Sequence, residues 1–380
     1  MTKNTNDNYL SRRSFLRLSI SIAGGFLLTP VLQACQKLGL VDATQIPTFT
    51  FVPQKELLNT STPTATKSPQ SSPTVTGDEA RVAFVHTRDR MDGIRRAIAL
   101  LGENPVAGKQ VLLKPNFNSA DPPPASTHLD TLQVLIESMW KMGAKAITVA
   151  DRSGMGNTRQ VMDGLGVFDL AKTLGFDTLV FDELANPDDW VLIRNEGDHW
   201  KNGFPIPRLL LGAEAIVQTC CLKPHRFGGH FTLSLKNSVG MVGKFMGQGG
   251  YNFMSELHNS PNQRLMIAEI NTVYAPALIV LDGVEAFIDN GPDQGTKVWG
   301  EAVLAGTDRV AIDAIGLALL RHLGYTGVAA NGPIFAQEQI ARAVELGLGI
   351  SGPEKIAFLT DDPNSAAYAA QIQQLMKASG

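Results

Sequence analysis

The sequence predicts an α/β domain, a mostly parallel open sheet with helices on both faces, followed by a C-terminal αβα extension. Two observations carry this expectation. From residue 81 onward short apolar runs alternate with segments of helical periodicity. The apolar runs, VLL at 111–113, AITVA at 146–150 and LIVL at 278–281, have little polar alternation, as strands covered on both faces do. No internal repeat interrupts the pattern, and some 300 residues beyond Gly77 are enough for a large core.

Each element has its own signal. Residues 81–86 (RVAFVH) read as a strand, and 91–101 as a helix with Ile94, Ala97, Ile98 and Leu101 on one face. A second strand at 110–113 leads into Lys114-Pro115-Asn116. A helix over 130–142 is stopped by Gly143, and a third strand at 146–150 ends in Asp151. Further strands are expected at 177–181, 213–219, 277–281 and 301–305, and a short helix within 232–240. Thr307-Asp308 suits the cap of a helix over 310–323. Helices near 333–346 and 365–377 flank a last strand at 355–359.

The first 80 residues do not share this pattern. Residues 1–35 read as a twin-arginine export signal, with Arg12-Arg13 ahead of an apolar run over 18–34. Leu32-Gln33-Ala34-Cys35 resembles a lipobox, which makes Cys35 the expected lipidation site; an ordinary cleaved signal and an uncleaved anchor are the alternatives. Residues 36–80, with TSTPTATKSPQSSPTVTG, are too poor in apolar groups to fold and read as a tether. The α/β domain then runs over 81–325, and 326–380 extends it. These features predict handling by the twin-arginine export machinery and attachment to the membrane through a lipid anchor. The expected location is the outer face of the cytoplasmic membrane, in the cell envelope.

Composition narrows the function. The formal net charge is −3, and removing the four basic residues and Asp7 that precede Cys35 leaves −6. A nucleic-acid partner would call for a basic face, so none is expected. The other two of the three cysteines are the adjacent Cys220 and Cys221, which make a strained ring if joined, so no structural disulfide is expected. There is no Cys-x-x-Cys spacing, hence no sequence-encoded iron–sulfur cluster.

The chemistry gathers at strand ends. Lys114 and Asn116, Asp151, Lys223 and His225, and Asp282 each follow an apolar run, and in a parallel sheet such ends share one edge, where ligands bind. The richest stretch is CCLKPHRFGGHFTLSLKNSVG at 220–240. The prolines of Lys114-Pro115 and Lys223-Pro224 push the preceding lysines into extended conformations, which aims them in defined directions and suits a small anionic ligand. His225 is a candidate for proton transfer and Lys236, in an apolar segment, for the same site. Lys114, His225 and Lys236 are thus the expected catalytic residues. Asn116, Asp151, Lys223, His230, Asn237, His258 and Asp282 are the expected substrate-binding residues. The cofactor is unknown; a divalent metal held by His225 and His230, or by oxygens of the acidic loop 289–295, is a candidate.

The set Lys114-Pro115-Asn116, Asp151, Lys223-Pro224-His225, Lys236-Asn237 with Gly240, His258, Asp282-Gly283, Gly291-Pro292 and Asp308 with Asp313 resembles the domain of unknown function 362 family over about residues 81–323. The resemblance implies a fold and a site more than a reaction. The ferredoxin-like cysteine segment of some relatives is absent here. Two readings remain: an enzyme acting on a small anionic substrate or cofactor, and an envelope lipoprotein that binds a small anion or metal without chemistry.

Overall fold

Strands that are apolar on both sides must be covered on both sides, and the helices that link them do the covering. The computed structural model describes residues 79–378, so the expected signal, Cys35 and nearly all of the tether lie outside the described residues. The strands are β1 (Ala80–His86), β2 (Gln110–Lys114), β3 (Ala146–Asp151), β4 (Asp177–Val180), β5 (Trp190–Ile193), β6 (Phe204–Pro207), β7 (Ala215–His225), β8 (His230–Thr232), β9 (Leu278–Phe287), β10 (Lys297–Gly306) and β11 (Ile356–Leu359). The helices are α1 (Arg90–Leu101), α2 (Leu129–Lys141), α3 (Thr158–Gly164), α4 (Val167–Leu174), α5 (Arg208–Leu211), α6 (Ser234–Asn237), α7 (Phe253–Asn259), α8 (Gln263–Ile270), α9 (Arg309–His322), α10 (Glu338–Glu345) and α11 (Pro363–Ala378).

The result is an α/β fold around a nine-stranded sheet in the order β11-β1-β10-β9-β7-β2-β3-β4, with β8 paired to β7. Every strand of the main path runs the same way except β10, which is antiparallel to both β1 and β9. The C-terminal ends of β2, β3 and β7 therefore sit side by side on one edge. β5 and β6 form a separate antiparallel pair that the apolar pattern did not suggest.

Alternation along the strands builds the layers. Val111 and Leu113 of β2 join Ile94 of α1 and Leu132 and Leu135 of α2 in one core. Leu112 belongs to a different core with Phe181, Trp190, Phe204 and Ile267. At the other end of the sheet Val82 and Phe84 pack with Ile312 and Ile315 of α9 and Ile372 of α11. Helix ends follow local chemistry. Asp89 caps α1 by accepting from Asp92 N at 3.0 Å, and Gly102 ends it in the left-handed conformation at φ 68°. Asp308 caps α9, accepting from Ala311 N at 2.8 Å, while its other oxygen takes Ile350 N at 2.8 Å and ties in the chain beyond α10.

Two strands run further than their apolar stretches. β7 continues past Thr219 to His225, all eleven residues buried, because β8 folds back on Lys223, Pro224 and His225. β9 continues past Leu281 to Phe287, so Asp282 lies within a strand. The C-terminal segment is integral to the sheet: β11 pairs in parallel with β1, outside β10. No helix among the described residues is long and apolar enough to cross a membrane.

Candidate functional site

Beyond the ends of β2, β3 and β7 lies a cavity of about 730 Å³. β2 supplies Lys114, and the turn after it Asn116. Asp151 ends β3, His225 ends β7, α6 carries Lys236 and Asn237, and α7 carries His258; all seven line the cavity. Topology brings together residues up to 144 positions apart in the chain, as Lys114 and His258 show.

Lys114 is a closed unit. Its ammonium lies 2.7 Å from Asp151 Oδ1 and donates to Pro115 O at 2.6 Å and Asn237 Oδ1 at 3.1 Å, using its three hydrogens. Asp151 is equally engaged: Oδ2 accepts from Phe117 N at 2.7 Å and Oδ1 from Arg152 N at 2.7 Å. Burial pulls the Lys114 pKa down and pushes that of Asp151 up, and the contact between them opposes both shifts. Asn237 ties the pair to the sheet, donating to Thr219 O at 3.1 Å. Gly240 explains the glycine four residues after Lys236: a Cβ there would lie 2.7 Å from Lys114 Nζ and closer still to Asp151 Oδ1. Only a residue without a side chain lets this backbone cover the ion pair.

Lys236 is different. It is 8% exposed, lines the cavity, and its ammonium has no hydrogen-bond or ion-pair partner among the described residues. Burial, with repulsion from Lys223 and Arg152, pulls its pKa from 10.5 to about 7. The helix that carries it is pinned by a distant carboxylate: Asp313 of α9 accepts from Ser234 N at 2.7 Å and from Leu235 N at 3.2 Å.

Two histidines stand at the same cavity in opposite tautomers. His225 Nδ1 accepts from Gly229 N at 3.3 Å, so its proton sits on Nε2. His258 Nδ1 is 2.7 Å from Met254 O, an acceptor, so this nitrogen carries the proton and Nε2 keeps its lone pair. Burial lowers both pKa values, that of His225 well below the ordinary imidazole value, with Lys236 adding to each effect. Both rings are neutral at pH 7. His225 and Lys236 are neighbours across Gly229, where a Cβ would lie 2.6 Å from Lys236 Cε and 2.9 Å from His225 Nδ1.

Lys223, His230 and Asp282 are placed elsewhere. Lys223 is fully buried behind the wall and donates to Asn116 Oδ1 at 2.9 Å and to Ala125 O, so it positions Asn116 and not a ligand. His230 pairs with His225 across the β7–β8 hairpin at φ 60°, but its ring is near Arg264 and Glu338, outside the cavity lining. Asp282 accepts from Arg90 Nε at 2.7 Å and Thr131 Oγ1 at 2.5 Å, a contact to α1 and α2 that follows from the continuation of β9.

Sequence reasoning missed Asn118, Arg152, Ser153, Thr232 and Lys244, which also line the cavity. Asn118 and Ser153 follow predicted strand ends by a few residues, and counting further into those loops finds them. Asn118 Nδ2, Ser153 Oγ and Thr232 Oγ1 are buried polar atoms without a partner, half of all such atoms among the described residues. Buried polar atoms are normally satisfied, so three around one cavity point to a polar ligand. Arg152 is buried, held by Val242 O at 2.7 Å, Val239 O and Ser153 O both at 3.0 Å, with no carboxylate ion pair among the described residues. The cavity therefore offers positive charge and free donors. No group of three or more His, Cys, Asp or Glu among the described residues could hold a metal, and Cys220 and Cys221 are free and buried.

No curated protein matches the chain. A family model does, across residues 111–318, from β2 almost to the end of α9 and thus through every cavity residue discussed above. The chain belongs to the family described as a domain of unknown function, DUF362.

Proposed function

We propose that the protein is an enzyme acting on a small organic anion by proton transfer, with Lys236, His225 and His258 as the acting groups. One observation carries the reading: a buried amine without a partner shares a cavity with two neutral histidines, one presenting N–H and the other a lone pair. That combination can polarise a ligand oxygen and move a proton at neutral pH. Arg152 and the unpartnered donors of Asn118, Ser153 and Thr232 favour a carboxylate or phosphate. Lys114 with Asp151 acts as scaffold.

The test uses the full-length protein and a panel of small carboxylates and phosphates. Calorimetry should find binding of at least one of them, and proton NMR in D2O should find exchange of a carbon-bound proton next to its acid group. His258→Gln should suppress exchange while leaving binding within a few-fold of wild type. Binding without exchange or turnover overturns the enzymatic reading; absence of binding across the panel overturns the reading of the cavity.

Export and anchoring belong to the same proposal and rest on Arg12-Arg13 and on Leu32 to Cys35. The protein would then work at the outer face of the cytoplasmic membrane, with no nucleic-acid partner. Labelled palmitate should enter the wild-type chain in cells and not Cys35→Ala. Equal labelling of both removes the anchor.

A further inference from the structure

We propose that Lys236 is a nucleophile that forms an imine with the carbonyl carbon of a small oxo acid bound in the cavity. The inference rests on the proposed function and adds the substrate class and a covalent step.

A lysine makes an imine only as a free amine, and proteins secure that by desolvation or a neighbouring cation. Lys236 has both. It is buried, it faces Lys223 and Arg152 electrostatically, and its pKa falls to about 7, so about half of it is neutral at that pH. Geometry separates it from the other buried lysines at this edge. Lys114 spends three hydrogens on Asp151, Pro115 and Asn237. Lys223 donates to Asn116 and Ala125. Lys236 alone of the three lacks a partner and lines the cavity.

The histidines supply what the step needs. The Lys236 nitrogen adds to the carbonyl carbon, a C–N bond forms, and the carbonyl π pair moves to oxygen, which His225 Nε2–H stabilises by hydrogen bonding. His258 Nε2 takes a proton from the new nitrogen. The oxygen, protonated from solvent, then receives the proton held by His258 and leaves as water while the C=N bond forms. The protonated imine that results has taken up one solvent proton, one water is released, and no oxidant or reductant is required. The carboxylate of the oxo acid would be taken by the free donors Ser153 Oγ and Asn118 Nδ2, with the buried positive charge of Arg152 adding attraction from the cavity lining.

The experiment is reductive trapping. Full-length protein is incubated with glyoxylate, pyruvate or 2-oxobutyrate, treated with borohydride, and examined by intact mass and peptide mapping. A single adduct on the peptide carrying Lys236 is expected, with a trapped fraction at least about tenfold lower in Lys236→Arg. Mapping on the wild type makes the result independent of how the variant folds. An adduct spread over surface lysines, or none while calorimetry shows that the oxo acid binds, overturns the imine and leaves proton transfer by the histidines in place. Failure of all three acids to bind overturns the assignment of oxo acids as well, while binding of other anions in the broader panel keeps the proposed function standing.

Discussion

Lys114 and Lys236 line the same cavity and are almost equally removed from water, at 1% and 8% exposure, yet they are opposites chemically. Lys114 is tied to an aspartate, a backbone carbonyl and an amide oxygen. Lys236 is tied to nothing among the described residues, and burial draws its pKa to about 7. What a buried lysine does is decided by the acceptors around it, not by its depth. The saturated one ties the turn after β2 to the end of β3 and to Asn237 of α6; the open one leaves an amine without an acceptor at the cavity.

Breaking the closed unit should have the largest effect. Asp151→Ala leaves the Lys114 ammonium buried without its counter-charge, and loss of about 3–5 kcal/mol in chemical denaturation is expected. Gly240→Ala forces a methyl against the same pair and should cost about 1–3 kcal/mol. A wild-type midpoint for either variant would show that the pair is not rigidly enclosed.

Lys236→Met should go the other way. The unfolded lysine has a pKa near 10.5 and the folded one about 7, so between those values the unfolded chain binds more protons and wild-type stability rises with pH. Below about pH 7 the whole penalty of the buried charge is present. The variant should therefore exceed wild type in stability near about pH 6, with the advantage shrinking as the pH is raised toward about 10. Parallel denaturation series at several pH values measure this, and an unchanging difference would mean that the amine is paired after all.

The smallest effect is expected at Asp313, whose pKa burial pushes to about 8 against the hydrogen bonds from Ser234 N and Leu235 N. Asp313→Asn keeps an acceptor and should cost less than about 1 kcal/mol, whereas Asp313→Ala frees the start of α6 and should cost about 1–3 kcal/mol. Ligand affinity should fall more in the alanine variant. Equal affinity in both would separate α6 from the ligand.

The same contrast explains what could be read in the sequence. The alternation of apolar runs and amphipathic helices revealed the α/β fold, and polar residues after those runs led to Lys114, Asp151 and His225. The ends of β7 and β9 were hidden because polar residues normally end a strand, whereas here Lys223 and Asp282 have partners: Asn116 and Ala125 for one, Arg90 and Thr131 for the other. Nothing local separates Lys114 from Lys236, since Asp151 and Asn237 reach Lys114 only through the folded sheet. Arg152 was not singled out, because the carbonyls of Val239 and Val242 that hold its guanidinium beside the cavity reach it only through the fold.

The reversed strand β10 has a directional consequence. Because it is antiparallel to both neighbours, β1 runs the same way as β2 and β7, and Ala80 lies on the sheet edge opposite the cavity. β1 has seven residues, roughly 20 Å of extended chain. The first described strand thus begins at the sheet edge opposite the strand ends that line the cavity, so the residues at its start have no part in that lining.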